Sequence, residues 1–152
     1  MAIVRTAGTE IIRSASFEDV DSTRQDLIIG VQHHIYTVLS IIITCTALQA
    51  VTNKFILELE GYDSKAGTTN EDMKIFESNL ALGETFVWND KFSFNGYEPA
   101  NFTGPMDDAT KQDAIADQGS SVAQKLKFSM TSADGGGQDY DVHITYIDQN
   151  NA

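Results

Sequence analysis

The sequence predicts an all-β protein: an antiparallel β-sandwich, jelly-roll-like, with one short helix in an insertion. Three observations predict this fold. A β-branched stretch runs from Ile35 to Cys45, strict polar and apolar alternation recurs in later segments, and short polar turns separate them. The 152 residues, 41% of them hydrophobic, fit a single domain.

The stretch Ile35–Cys45 is the predicted central strand, because successive side chains of a strand point to opposite faces. Simple alternation gives one face Ile35, Thr37, Leu39, Ile41, Ile43 and Cys45 and the other Tyr36, Val38, Ser40, Ile42 and Thr44. Both faces are largely apolar, which predicts a place in the middle of the sandwich. The segment Lys54–Glu60 follows as a partner strand with Phe55, Leu57 and Leu59 on one face.

Residues 1–24 are predicted to form an N-terminal strand or arm, and residues 25–152 the sandwich domain. Two weak strand patterns flank a turn at Ala7-Gly8, and an acidic connection at Glu18–Thr23 follows them. The next strand pattern, Asp26–Val31, contains Gly30, where we expect a bend or bulge.

The middle of the chain alternates between loops and strands. Asp63–Asn70 is predicted to be an exposed loop and Met73–Ser78 a strand. Thr85–Phe94 is rich in aromatic residues of one parity and is predicted to divide into two strands at Asn89-Asp90.

The segment Asn95–Ser121 interrupts this rhythm and holds both prolines. Within it, Asp107–Gln118 is predicted to be a short helix with Asp107 as its N-cap and Gly119 just beyond its end. A connection of this length in a compact domain is usually functional. Its acidic character predicts a projecting, partner-binding insertion.

The last two predicted strands have the clearest alternation in the chain. In Val122–Met130, Leu126, Phe128 and Met130 share one face, and in Gln138–Ile147 the same holds for Tyr140, Val142, Ile144 and Tyr146. The glycine-rich segment between them predicts a hairpin connection.

The formal charge is −12, and the ten basic residues are scattered without a cluster. Such a charge repels the phosphates of nucleic acid and of anionic membranes, so neither is a predicted partner. The single cysteine, Cys45, excludes an intramolecular disulfide and is predicted to be a buried, inert thiol. No signal-peptide h-region or membrane-spanning helix is predicted.

No catalytic or metal-binding motif follows a regular spacing, so we expect a protein that is not an enzyme and has no cofactor. His33-His34 with His143 is a weak candidate for zinc. The acids around Asp107, or around Asp139, are a weak candidate for calcium. Glu58 and Glu60 lie about 7 Å apart on one strand face, a spacing that glycosidase carboxylates also show.

The order of elements resembles small β-sandwich virion proteins of tailed bacteriophages, such as capsid decoration or cement proteins. The shared features are the hydrophobic strand at Ile35–Thr46, the strand at Phe55–Glu60, the Leu-Gly-Glu-Thr turn at Leu82–Thr85 and the terminal strand at Val142–Tyr146. The resemblance implies a non-enzymatic protein on the capsid exterior. Its implied partners are the major capsid protein and further copies of itself, as a trimer or dimer.

Under this resemblance, partner binding is expected at the N-terminal segment and at the insertion. The candidate residues are Ile3, Arg5, Ile11, Arg13, Phe17, Asp107, Asp108 and Asp113. The alternative is a carbohydrate-binding or host-recognition adhesin module, for which Trp88, Tyr62 and Tyr97 are the candidate sugar-stacking residues. Most of the other aromatic side chains around Trp88 are expected to lie in the core.

Overall fold

A computed structural model describes residues 6–21, 23–47, 54–63, 68–99, 108–118, 121–130 and 139–151, and every structural statement below concerns these residues. They form eleven strands and one helix. The strands are β1 Glu10–Val20, β2 Gln25–Ile29, β3 His34–Ala47, β4 Phe55–Asp63, β5 Thr68–Ser78, β6 Thr85–Trp88, β7 Phe92–Asn95, β8 Tyr97–Pro99, β9 Ser121–Ala123, β10 Lys125–Met130 and β11 Asp139–Asn150. The helix is α1, Ala109–Asp117.

Two antiparallel sheets form the sandwich. The larger sheet has the order β1-β11-β3-β6, with β7 also pairing with β3, and the smaller has the order β2-β10-β4-β5. Because β6 and β7 pair with successive parts of β3, they act as one interrupted strand. The result is two layers of four strand positions, which is the double-sheet arrangement of a jelly roll. The predicted fold class, including its one short helix, is confirmed.

The core fills the space between the two sheets. Phe55 of the smaller sheet stacks on Phe128 with ring centroids 5.7 Å apart and meets Tyr140 of the larger sheet edge-on at 5.4 Å. All three side chains are fully buried. Burial of one such side chain stabilises the fold by about 1.5–3 kcal/mol, so this aromatic contact is a main connection between the layers.

Strand β3 contains a bulge that simple alternation did not predict. Thr145 pairs with Ser40 and Tyr146 with Val38, so Leu39 has no partner on β11. The inward parity therefore changes there, with Tyr36 and Val38 buried before the bulge and Ile41, Ile43 and Cys45 buried after it. The predicted single parity for Ile35–Cys45 is wrong before Leu39, because one extra residue turns every preceding side chain to the other face. Cys45 is buried, as predicted.

Two predicted boundaries differ from the structure. Within the predicted loop Asp63–Asn70, Asp63 belongs to β4 and residues 68–70 belong to β5, since these strands pair as far as Asp63 and Thr68; residues 64–67 lie outside the described residues. The predicted strand Val122–Met130 is split at Gln124 into β9 and β10. The predicted division at Asn89-Asp90 and the glycine turn at Gly8, whose φ is 83°, are confirmed.

The described part of residues 1–24 is an edge strand of the larger sheet. β1 pairs with β11 from Glu10 opposite Gln149 to Phe17 opposite Val142. It extends through part of the predicted acidic connection and ends at Val20. The segment was predicted to be a strand or an arm, and residues 10–20 form a strand.

Helix α1 begins one residue later than predicted. The backbone N–H of Gln112 donates to the carbonyl oxygen of Asp108 at 3.1 Å, so Asp108 occupies the N-cap position that was predicted for Asp107. Asp107 and Gly119 lie outside the described residues.

Candidate interaction surface

The outer face of the larger sheet is rich in hydroxyl groups and carries charged residues only at its two ends. We call it the hydroxyl face. Its members are the outward side chains of paired positions on β1, β11, β3, β6 and β7: Ile12, Ser14, Ser16, Thr37, Ser40, Ile42, Thr44, Thr85, Val87, Ser93, His143, Thr145 and Ile147. None of them is Asp, Glu, Lys or Arg. Asp141 lies in the end row of this face, directly opposite Thr44, and Glu10 lies two residues before Ile12 at the other end.

Several polar groups of the hydroxyl face bond to one another across neighbouring strands. Thr37 Oγ1 lies 2.9 Å from Ser93 Oγ, and Thr44 Oγ1 lies 2.9 Å from Thr85 Oγ1. Ser16 Oγ lies 2.7 Å from His143 Nδ1. A polar group that already has a partner costs less to bury than one that loses a bond to water. These pairs therefore lower the cost of covering the face.

The Ser16–His143 pair borders a shallow cleft of about 210 Å³ that also contains Phe17, Glu18 and Asp141. The carboxylate of Asp141 accepts the backbone N–H of Asp19 at 3.0 Å. Small-molecule sites usually enclose about 300–1,000 Å³, so the cleft is small for such a ligand. A hydroxyl beside an imidazole on an open sheet face serves here as a cross-strand contact.

The acidic margin beside this cleft carries unfavourable charge. Burial raises the pKa of Asp139 above its ordinary value, and the nearby carboxylates of Asp19, Asp21 and Asp141 raise it further. A raised carboxyl pKa means that the folded state favours the protonated form, so this group lowers stability as the pH rises through its pKa.

We expect Asp139→Asn to raise the melting temperature at pH 7 by about 1–2 °C, because the amide removes the repulsion. The difference in melting temperature between the variant and the wild type should shrink as the pH falls below 4, because protonation removes the charge of Asp139. Thermal melts followed by circular dichroism at both pH values test this, and a variant less stable than the wild type at pH 7 would contradict it.

The outer face of the smaller sheet is charged and extensively ion-paired. Lys127 forms an ion pair with Glu60 and a second with Asp72, at 3.0 Å from its Oδ1. Arg24 lies 2.6 Å from Asp72 and 3.5 Å from Glu58. We call these five residues the charge network. It holds both members of the candidate glycosidase pair, Glu58 and Glu60, each facing at least one cation.

A buried polar cluster lies where β1, β3 and β11 meet. Asp148 is buried and accepts hydrogen bonds from Arg13 Nε at 3.0 Å and from His34 Nδ1 at 2.7 Å. The Tyr36 hydroxyl accepts the backbone N–H of Val31 at 3.1 Å. Burial raises the pKa of Tyr36 to about 12, and the nearby Asp148 adds to the effect. The cluster ties the edge strand β1 to the sandwich.

The predicted partner-binding residues fall into separate places. Arg13 belongs to the polar cluster, Phe17 packs partly against the core and Ile11 is half-buried on β1. Asp108 precedes α1 and Asp113 lies within it, both exposed, and α1 neighbours β8. Ile3, Arg5 and Asp107 lie outside the described residues. The described candidates therefore form two groups: the N-terminal ones lie on β1, and the acidic ones lie at α1.

The three candidate sugar-stacking residues do not share one exposed surface. Tyr62 is buried. Trp88 packs against the core, with its ring centroid 5.2 Å from that of Phe76, and its indole N–H donates to the carbonyl of Asp90 at 2.8 Å. Tyr97 is half-buried on β8. The core prediction for the neighbouring aromatic residues Phe86, Phe92 and Phe94 is confirmed.

Neither the hydroxyl face nor the charge network was predicted from the sequence. Ser and Thr side chains at outward strand positions, such as Thr37, Thr44 and Thr145, could have indicated the hydroxyl face. The second depends on strand pairing, which places Lys127 beside Glu58 and Glu60 beside Asp72.

Within the described ranges, no three His, Cys, Asp or Glu side chains are grouped so that they could hold a metal ion. The described helix is too short and too polar to cross a membrane.

The fold and these surfaces define an all-β jelly-roll sandwich. No protein-family model and no curated protein sequence matches the chain. Among solved structures, a chain of the T13 particle of infectious bursal disease virus is similar, with 9% identity, a TM-score of 0.49, and coverage of 99% of this chain and 33% of that one. A chain from the Gt strain of that virus has 14% identity, a TM-score of 0.40, and coverage of 95% and 31%.

A chain of Bacillus endospore appendages, described as disulfide-linked pili, has 8% identity, a TM-score of 0.42, and coverage of 100% of this chain and 97% of that one. The present chain spans about a third of the length of the viral chains that it matches.

Proposed function

We propose that this chain is a non-enzymatic structural protein of a bacteriophage virion, a decoration or cement protein on the capsid exterior that binds the major capsid protein and stabilises the shell. The observation that carries the proposal is a helix that is anchored to the sandwich through Gln118 and presents exposed Asp108 and Asp113. The sequence resemblance to small virion sandwiches and the formal charge of −12 support it as well.

Helix α1 is anchored to the turn between β2 and β3. The side-chain oxygen of Gln118, just after the helix, accepts the backbone N–H of His33 at 2.6 Å. The side-chain amide of Gln32 donates to the carbonyl oxygen of Gln118 at 3.0 Å. Asp108 and Asp113 lie exposed on this anchored element. A carboxylate pair on a fixed helix suits a basic protein surface, because little freedom is lost on binding.

The physical account of a cement role rests on multivalency. Many copies, each held weakly, together resist expansion of a shell. The acidic helix would steer each copy to basic patches of the coat. The edge of β1, with Ile11 and the preceding Ile3 and Arg5, would add backbone hydrogen bonds by strand addition. Each copy then contacts the coat through two separate groups of residues.

The test is reconstitution on capsids that lack this protein, with bound copies counted by quantitative mass spectrometry against the major capsid protein. We expect hundreds of wild-type copies per particle. The double variant Asp108→Asn/Asp113→Asn should bind about tenfold more weakly at physiological salt. Asparagine retains the capping ability of Asp108, so the helix should persist.

The matched control is Glu71→Gln/Asp90→Asn, which removes the same charge from exposed positions that do not belong to α1. Wild-type affinity is expected for the control. If both double variants bound the capsid equally weakly, overall charge alone would explain the loss of affinity. That result would contradict a role for α1. A complete lack of binding by the wild type would overturn the decoration proposal itself.

A further inference from the structure

We propose that the hydroxyl face is the surface through which two copies of this chain pack against each other, sheet on sheet. The inference deepens the proposed function and rests on it for its biological setting, since decoration proteins at symmetric particle positions meet as oligomers. It names the face that each copy uses, which the proposed function leaves open.

Charge is the first reason for a second copy as the occupant. Each chain carries 22 acidic and 10 basic residues, so two copies repel each other over most orientations. The outer face of the larger sheet holds few of these charges: Asp141 and Glu18 lie at the end beside Thr44, and Glu10 lies at the opposite end. Face-to-face approach therefore brings together a part of the surface where like charges are few and confined to the two ends.

Desolvation is the second reason. The hydroxyl pairs Thr37–Ser93 and Thr44–Thr85 already have partners inside the face. A partner that covers them need not supply new hydrogen bonds. The charge network on the smaller sheet differs, because its carboxylates and cations would lose water if another copy covered them.

Exposed apolar side chains supply the attraction. Ile12 is 73% exposed, Val87 52% and Ile42 38%. Ile42 and Val87 pair directly across β3 and β6, and Ile12 lies opposite Ile147 across β1 and β11. These side chains form two apolar groups separated by the Ser and Thr side chains. In an arrangement with two-fold symmetry, each group meets an equivalent surface on the other copy.

The dimensions of the face suit such a contact. Four strand positions about 4.8 Å apart and about ten residues with a rise of about 3.3 Å give roughly 600 Å². A standard interface buries about 800 Å² on each partner, with smaller values for weaker contacts. Sheets that pack face to face lie about 10 Å apart with their strands within about 30°. The expected contact is thus a modest, concentration-dependent dimer.

Sedimentation equilibrium of the full chain from about 1 to 200 μM tests the inference. We expect dimerisation that strengthens when salt is raised from about 0.05 to 0.5 M, because salt screens the remaining acidic repulsion. Val87→Glu should weaken it at least tenfold, since two copies would each bury a carboxylate. Ile12→Glu on the other apolar group serves as the second variant.

Met73→Glu is the matched control. Met73 is 70% exposed but lies on β5 of the smaller sheet, so this variant should dimerise within about twofold of the wild type despite the same added charge. Melting temperatures measured for all variants establish that each is folded.

A wild type that stays monomeric throughout would overturn the inference, and so would a dimer that neither Val87→Glu nor Ile12→Glu weakens. Capsid binding by a monomer would leave the decoration proposal intact while the dimer fails. A wild type that dimerises but binds no capsid would overturn the decoration proposal and leave the dimer inference intact.

Discussion

Replacing Gly96 with alanine is expected to lower the free energy of unfolding by about 3 kcal/mol. A Cβ atom at this position would lie 1.9 Å from the carbonyl oxygen of Val31, well inside van der Waals contact. The conflicting atom belongs to the backbone, so no change of a side-chain rotamer can relieve the clash.

The surrounding backbone cannot easily move, because hydrogen bonds join its segments. Gly96 N–H donates to the carbonyl of His34, Gly30 N–H to that of Gln124, and Gln124 N–H to that of Gly96, each at 2.8 Å. A Cβ on Gly30 would also lie 2.0 Å from the carbonyl oxygen of Gly96. The two glycines thus allow the end of β2 to approach the link between β7 and β8.

Urea unfolding of Gly96→Ala measures this loss, and a melting temperature about 6–12 °C below the wild type should accompany it. Gly83→Ala is the control. Gly83 has a φ of 79°, but a Cβ there would meet nothing within 4 Å, so its cost should be only about 1 kcal/mol from the left-handed backbone. Equal losses in the two variants would show that the close approach adds nothing.

The sequence predicted those parts of the fold in which one strand face is polar and the other apolar. β10 and β11 alternate clearly, and their buried apolar residues followed directly, whereas the burial of Lys127 and Ser129 on the polar face of β10 did not. β3 did not allow this, because its two parities are both apolar around Leu39 and the pattern therefore cannot reveal a bulge. The bend or bulge predicted at Gly30 is not found there: β2 ends at Ile29, and its pairing with β10 is irregular at Leu27. The need for Gly96 depends on a neighbour distant in sequence.

The surfaces were harder to predict than the core, for a related reason. The sequence alone shows Glu58 and Glu60 as a pair, because they lie two residues apart on one strand. Their cations come from other segments, and only strand register brings Lys127 to them. The hydroxyl face likewise draws on five strands, so its scarcity of charge becomes visible only when the strands are paired.

Replacing Lys127 with methionine is expected to cost about 3 kcal/mol of unfolding free energy, because it removes one partner from a largely buried ion-pair group. The Lys127 side chain is only 5% exposed and lies between Glu60 and Asp72. Methionine fills similar space but leaves Glu60 with the longer contact to Lys125, 3.8 Å away. Arg24 continues to pair with Asp72.

The control is Lys125→Met on the same strand. Its side chain is 35% exposed and makes only the longer contact with Glu60, so the expected loss is below about 1 kcal/mol. Urea unfolding of both variants measures the two losses side by side. Equal losses would mean that the burial of Lys127 adds nothing to its ion pairs.

The pH dependence gives a second readout for Lys127. Burial opposes ionisation of Asp72, but hydrogen bonds from Lys127 and Arg24 outweigh burial and lower its pKa. A lowered carboxyl pKa stabilises the fold above the ordinary value, and this stabilisation disappears as the pH falls through the folded-state pKa. The difference in unfolding free energy between Lys127→Met and the wild type should therefore be largest at pH 7 and should become smaller below pH 4. A gap independent of pH would mean that lost packing, rather than lost charge pairing, causes the destabilisation.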